Sequence, residues 1–390
     1  MEINILPNIY LKEDGTFDKE KAFILCGHIA GVCYDEEGFD RLVNEERAKT
    51  ERRIERTLSA GHHSVYDHIY INFNLKNIPK ILAMVINNEK QYTTSEKSLR
   101  YTKVGQNEKI SSKEEELYNK WVSIFKEEIK KKYPFFKIGN IRRLAQENAR
   151  YIITIFIPTT MIYTTSLRQI NYLASWMDKY IKSSSLDSSF KQKLTSSMQE
   201  FIDNLRKLNV LDDRLMSNEK NRSLSLFAPS YDEEYFGHIY NTSYKGSFAS
   251  LAQAQRHRTI NYEMNFLNEE EYFIPPIIKD NNALTLEWLR DLRSVCDVYP
   301  QGRLVQIREN GTYEDFILKA KERLCTNAQL EIMLQTKDTL EKYYQALLKK
   351  NSPLTLDITS RMKGARCTFC DYSCPNDCHF KEGKTLSRKI

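Results

Sequence analysis

The sequence predicts an α+β chain built twice over, with a short cysteine-rich tail. Three observations carry this reading. From His68 to Leu75 the residues alternate, with Ile69, Ile71, Phe73 and Leu75 on one face and Tyr70, Asn72 and Asn74 on the other, the pattern of a half-buried strand. Apolar stripes at helical spacing surround it, as in residues 112–132, where Leu117, Trp121, Ile124, Phe125 and Ile129 share one side. The two halves also repeat one order of segments: polar turn, short helix, loop, variable helix, long helix. A repeat of that kind changes the fold assignment and is considered first.

Residues 39–60 read as a helix stopped at Gly61. Gly61–His68 (GHHSVYDH) then gathers three histidines and one aspartate. Zinc sites use other spacings and no cysteine is near, so this reads as a polar turn rather than a metal centre. Pro79 opens a helix over PKILAMVINN. In Glu96-Lys97-Ser98-Leu99-Arg100-Tyr101 a hydroxyl and a guanidinium stand two residues apart, where both can reach one phosphate; a plain surface loop is the alternative. Residues 143–182 read as one long helical region interrupted at Pro158, carrying Arg150 and Arg168. A further helix near 188–207 follows a serine-rich break, and the polar stretch 209–222 reads as a linker.

In the second half, a helix of small residues, Phe248–Ala254, leads into Gln253-Ala254-Gln255-Arg256-His257-Arg258. Two arginines flanking a histidine offer planar, bidentate donors suited to an anionic or planar ligand. Residues 285–296 form a short helix around Trp288, and Thr312 to Lys350 a long helix or a pair of helices, ended by Pro353.

The chain has 390 residues, 41% hydrophobic and 28% charged, enough for a sizeable core. Its net charge of +6 suits anionic small molecules and lacks the basic stripe of a dedicated nucleic-acid binder. No run of apolar residues is long enough to span a membrane, and Met1-Glu2-Ile3-Asn4 lacks a signal-peptide pattern. Cys26, Cys33, Cys296 and Cys325 are scattered, which fits a reduced, cytoplasmic setting. Cys367-x2-Cys370-x3-Cys374-Pro-x2-Cys378 is different: four thiols within twelve residues predict a metal site. Zinc sites pair two knuckles across a long spacer, whereas a compact run with a Cys-Pro step favours a [4Fe–4S] cluster over zinc.

These motifs resemble the flavin-dependent thymidylate synthase (ThyX) family, whose signature RHRxxSxNxxSxR is preceded by GHxSxxEH and followed by an arginine and AQxEI. GHHSVYDH at 61–68, QAQRHR at 253–258, and Arg323 with AQLEI at 328–332 match in order. The resemblance implies two tandem domains, each of helices packed on a small antiparallel sheet: residues 1–210, then 220–350, with a metal-binding tail at 353–390. It implies an enzyme that methylates dUMP reductively with methylenetetrahydrofolate, using FAD and NADPH or another reductant, and a homodimer of pseudo-dimers. A related flavin enzyme with another one-carbon donor or product, and a non-catalytic nucleotide-binding protein, stand as alternatives. The cluster would be structural or would feed electrons to the flavin.

The two copies depart from the signature in opposite places. The first keeps Ser98, Arg100 and Tyr101 but has Asn88, Glu89 and Lys90 where Arg-His-Arg would be. The second keeps Arg256, His257 and Arg258 but has Phe266 and Asn268 at the later serine and arginine positions. In the family one subunit supplies one half of each site and its neighbour the other. Carried over, the resemblance implies one composite nucleotide site from Glu96, Ser98, Arg100 and Arg150 of the first copy and Gln253, Arg256 and Arg323 of the second. The reciprocal set, with Asn88, Met177, Phe266 and Asn268, would be dead. Arg323 and Ser98 are the implied catalytic residues, Arg323 by stabilising charge on the uracil ring. Flavin contacts are implied for His62, Asp67, Arg168, Arg256, His257 and Arg258, with Ser166 and Asn327 in place of the family's asparagine and histidine.

Overall fold

Period-two patterning decides where the sheets lie. The computed structural model describes residues 1–98, 110–183, 188–217, 222–228, 233–375 and 377–390. They divide into two units, Met1–Lys97 with Pro158–Leu224, and Ser98–Ile157 with Ser225–Ile390.

The first unit holds strands β1 (Glu2–Ile5), β2 (Tyr70–Pro79), β3 (Thr93–Glu96) and β4 (Pro158–Ser166) in an antiparallel sheet of order β1-β2-β4-β3. Its buried face carries Ile71, Phe73 and Leu75 opposite Met161 and Tyr163, in the register Phe73 to Tyr163. β2 runs past the expected Leu75 to Pro79, over an irregularity at Asn77, whose φ is +56°. The helix after it is Lys80–Ile86, with Pro79 as its N-cap.

Two expected helices are corrected here. Residues 143–182 are not one helical region: a helix Ile138–Ala149, then β4, then a helix Leu167–Ser183. The stretch PTTMIYTTS buries Thr159, Met161, Tyr163 and Thr165 in alternation, and its β-branched residues pack on a pleated surface. Residues 39–60 likewise split into Phe39–Leu42 and Arg47–Ser59. Between them Glu45 accepts from Arg53 Nη1 and Thr50 Oγ1, both at 2.6 Å, which fixes the chain out of helical geometry.

The second unit holds β5 (Tyr235–Phe236), β6 (Ile239–Ser247), β7 (Asn261–Phe266) and β8 (Leu304–Thr312), antiparallel in the order β5-β6-β8-β7. The two sheets thus share one strand order. The expected Thr312–Lys350 segment is a pair of helices, Tyr313–Arg323 and Leu330–Lys349.

The compact units cut across the sequence boundaries at 210 and 220. Helices Ser112–Lys132 and Ile138–Ala149, from the first half of the chain, pack in the unit of the second half. Trp121 meets Trp288 edge-on at 4.7 Å, and both are fully buried. Trp121 Nε1 donates to Asp291 Oδ2 at 2.9 Å and Trp288 Nε1 to the Phe273 carbonyl at 2.8 Å, so both rings keep their polar ends satisfied. The tail is woven into the same unit: Tyr133 Oη donates to Glu382 Oε2 at 2.6 Å, and Arg388 Nη2 to the Ala328 carbonyl at 2.7 Å.

Trp288→Ala should therefore cost about 3–5 kcal/mol, the range for emptying an aromatic site in a core. Leu356→Ala, at an exposed position, should stay within about 0.5 kcal/mol. Denaturant unfolding followed by circular dichroism measures both.

Candidate functional site

The Phe248–Ala254 helix starts at Ser247, whose Oγ caps it by accepting from Ser250 N at 3.1 Å. Phe248, Ala249, Ser250, Leu251 and Ala254 are buried, so the helix sits deep and its C-terminal turn is tightly placed. That turn closes with His257 N donating to the Ala254 carbonyl at 2.9 Å. Beyond the helix the side chains alternate: Gln255 and His257 are buried, Arg256 and Arg258 exposed. Gln253 Oε1 is buried with no hydrogen-bond partner among the described residues, an acceptor waiting for a donor.

His257 is a positioning group. Arg323 Nε donates to His257 Nε2 at 2.7 Å, so the ring proton is assigned to Nδ1. Burial, with the positive charges of Arg323 and Lys319 close by, pushes the imidazole down to about 2. A neutral imidazole thus holds the guanidinium by its Nε edge at the end of the Tyr313–Arg323 helix and directs its Nη groups. Beneath lies a wholly buried ion pair, Lys319 to Glu309 at 2.5 Å. Tyr240 and Tyr244 each donate to that carboxylate at 2.8 Å, satisfying the charge where water cannot.

Arg150 reaches the same unit by a second route. Its Nη2 donates to Gln329 Oε1 at 2.7 Å, and Gln329 Nε2 donates to Tyr151 Oη. Tyr151 Oη donates to Glu331 Oε2 at 2.8 Å, and Glu331 accepts from Ser247 N at 2.7 Å and from Ser247 Oγ. A buried carboxylate thereby joins Tyr151, beside Arg150, to the cap of the helix that carries Gln253. Burial raises the Glu331 carboxyl, and the Ser247 and Tyr151 donors oppose that shift. The sequence carried AQLEI as a matched motif without a role for it. Its glutamine and glutamate are the links of this chain.

Of the expected nucleotide residues, Arg150, Gln253, Arg256 and Arg323 lie in one unit. Ser98 begins that unit's sequence, Glu96 belongs to the other unit, and Arg100 lies outside the described residues. Glu96 accepts from Lys80 at 2.6 Å and from Thr159 Oγ1 at 3.2 Å. Among the expected flavin residues of the first unit, Asp67 pairs with Arg168 and accepts from Ser166 Oγ at 2.6 Å. His62 is exposed, while its neighbour His63 is buried between Tyr172 Oη and the Leu58 carbonyl, each at 3.1 Å. Glu89, at one of the positions that align with Arg-His-Arg of the signature, is buried and takes a 2.5 Å bond from Arg222, whose guanidinium lies 3.5 Å over the Trp176 ring.

Of the expected four-thiol set of the tail, Cys370 stands apart from the cavity that the other three line. Among the described residues no three His, Cys, Asp or Glu side chains are grouped to hold one metal ion. Cys367, Cys374 and Cys378 line one cavity, whereas Cys370 is exposed with its Sγ 3.9 Å from Ser360 Oγ.

Residues 18–178 match the family model for the thymidylate synthase complementing protein, Thy1. The match spans less than half of the chain. A flavin-dependent thymidylate synthase of Thermococcus onnurineus (strain NA1) is 24% identical over 147 residues, 36% of this chain and 57% of the relative. One of Pyrococcus furiosus is 24% identical over 144 residues, 35% and 56% respectively. The chain thus spans little more than half the length of these curated relatives. Two solved structures are similar with a TM-score of 0.33: thymidylate synthase X of Helicobacter pylori with FAD and dUMP, 16% identical over 55% of this chain and 99% of that one, and the UMP/dUMP methylase PolB of Streptomyces cacaoi bound with 5-Br dUMP, 12% identical over 56% and 95%.

His257 makes acid stability a measurable signature of this site. An unfolded chain takes up a proton on this ring near pH 6.5, and the folded one does not. The stability from the neutral ring is present above pH 6.5 and is lost as pH falls, by up to about 1.4 kcal/mol per unit. His257→Gln, which cannot titrate, should remove that slope between pH 6.5 and 4.5, read from denaturation midpoints across pH.

Proposed function

We propose that the chain is a duplicated flavin-dependent thymidylate synthase-like enzyme that methylates dUMP to dTMP with methylenetetrahydrofolate. The observation that carries this is the group Gln253, Arg256, His257 and Arg323: an unpartnered buried acceptor, an exposed arginine, and a second arginine steered by a neutral histidine. Gln253 Oε1 can accept the uracil N3 proton, which a pyrimidine nucleotide alone among its parts presents as a ring donor. Arg323 can stabilise negative charge developing on the ring oxygen. Arg256, with no hydrogen-bond or ion-pair partner among the described residues, can neutralise the 5′-phosphate, joined by Ser98, Arg100 and Arg150 of the first copy.

The shared strand order of the two sheets supports a tandem duplication, and the packing of residues 98–157 with the second half supports one composite site per chain. The residues also suit a flavin: Arg256 and Arg258, both exposed beside the same turn, suit its diphosphate, and His62, Asp67 and Arg168 of the first unit are the other flavin residues that the resemblance implies. Reduced flavin, when bound, carries the one-carbon unit and the hydride. The protein's part is to hold the uracil ring, neutralise the phosphate and exclude water. His257 contributes through Arg323. The Glu89–Arg222–Trp176 cluster fills the decayed position of the first copy, in keeping with a dead reciprocal site. The assembly this reading favours is a homodimer of pseudo-dimers.

Anaerobic incubation with dUMP, methylenetetrahydrofolate, FAD and a reductant should yield dTMP by mass analysis; unchanged dUMP in a flavin-replete preparation would refute the reaction. Arg256→Ala and Arg323→Ala should each weaken dUMP binding by about 1.5–3 kcal/mol, and Lys90→Ala and Asn268→Ala should leave it unchanged. Calorimetric titration should find one nucleotide per chain. Two sites of equal affinity would contradict a single composite site.

A further inference from the structure

We infer that the tail's thiols form an iron–sulfur site whose fourth ligand is Cys325, not Cys370. A cavity of about 260 Å³ is lined by Cys325, Cys367, Cys374 and Cys378. Three of these belong to the sequence cluster. The fourth comes from the loop two residues beyond Arg323, at the end of the Tyr313–Arg323 helix. Cys370, the remaining member of the cluster, turns to Ser360 on the Thr355–Arg361 helix and does not line the cavity.

The walls of this cavity are built to stay close. Arg366 N donates to the Leu324 carbonyl at 2.7 Å, tying the tail beside Cys325, and Ala365 N donates to the Lys384 carbonyl at 2.8 Å. Two glycines permit the approach. A Cβ on Gly383 would stand 2.1 Å from Thr326 Cγ2, and one on Gly364, whose φ is +137°, 2.4 Å from the Lys384 carbonyl oxygen. Lys384, held by Asp377 at 2.8 Å, lines the same cavity beside Cys367 and Cys378. None of the eight cysteines is in a disulfide.

The cavity offers four thiols and no histidine, a donor set suited to an iron–sulfur cluster. A [4Fe–4S] cluster spreads its irons over the corners of a cube and takes thiolates placed around a cavity. The site is independent of what the nucleotide pocket binds.

The test is anaerobic reconstitution of the full chain with ferrous iron and sulfide, followed by iron and sulfide analysis. Wild type should hold about four irons per chain. Cys325→Ser and Cys374→Ser should lose most of them, and Cys370→Ser and Cys296→Ser should keep them. Alkylation with iodoacetamide and mass mapping gives a second reading on the unmutated chain. Iron should protect Cys325, Cys367, Cys374 and Cys378 and leave Cys370 as reactive as in the metal-free protein. Full iron in Cys325→Ser with loss in Cys370→Ser, equal labelling of Cys325 with and without iron, or uptake of zinc but no iron, would each overturn the assignment.

Discussion

The second unit depends on one buried carboxylate. Glu331 takes the backbone N–H and the hydroxyl of Ser247 and the hydroxyl of Tyr151. A carboxylate in an apolar interior is costly unless its lone pairs are filled, and here three donors fill them. The donors come from two separate stretches of the chain and Glu331 from a third, so satisfying this charge fixes where β6 ends, where the Phe248–Ala254 helix begins, and where Tyr151 must stand. Everything proposed to touch a nucleotide in this unit hangs from those positions. Arg150 is beside Tyr151 and is held by Gln329, and Gln253 and Arg256 follow the capped helix.

A second constraint is electrostatic. Arg323 and Lys319 both approach His257, and among the described residues the ring's one carboxylate neighbour, Glu322, stands 3.9 Å away and is exposed. The ring therefore stays neutral and serves as an acceptor. The Glu309 carboxylate absorbs the Lys319 charge with help from two tyrosines, which leaves the guanidinium of Arg323 as the cation steered by the histidine. In the first unit the corresponding stretch has followed another course. Glu89 is buried and answered by Arg222, itself stacked on Trp176. A closed ion pair of this kind stabilises a fold but presents no acceptor or cation to a ligand, and the contrast explains chemically why the two copies would divide their roles.

Several parts of this were legible in the sequence because they are local. The alternation of Ile69, Ile71, Phe73 and Leu75, the stripe over residues 112–132, the small-residue helix before Gln253 and the ordered motifs of the ThyX family each lie within a short window, where period and composition report directly on burial. Where local signals conflicted, the sequence misled. Pro158–Ser166 lies between two helices and was absorbed into them, although its β-branched alternation marks a strand, and β6 and β8 passed unassigned.

What the sequence by itself determined is the inventory: the arginines, histidines, glutamines and cysteines, and their order along the chain. Only the tertiary structure decided their company. It placed residues 98–157 with the second half, buried His257 against Arg323, gave Gln329 and Glu331 their partners and brought Cys325 to the cavity of Cys367, Cys374 and Cys378. The physical reason is that these pairings span tens to hundreds of residues. They are settled by the need to fill buried donors, acceptors and apolar faces together, a condition on the whole fold that no window of sequence contains.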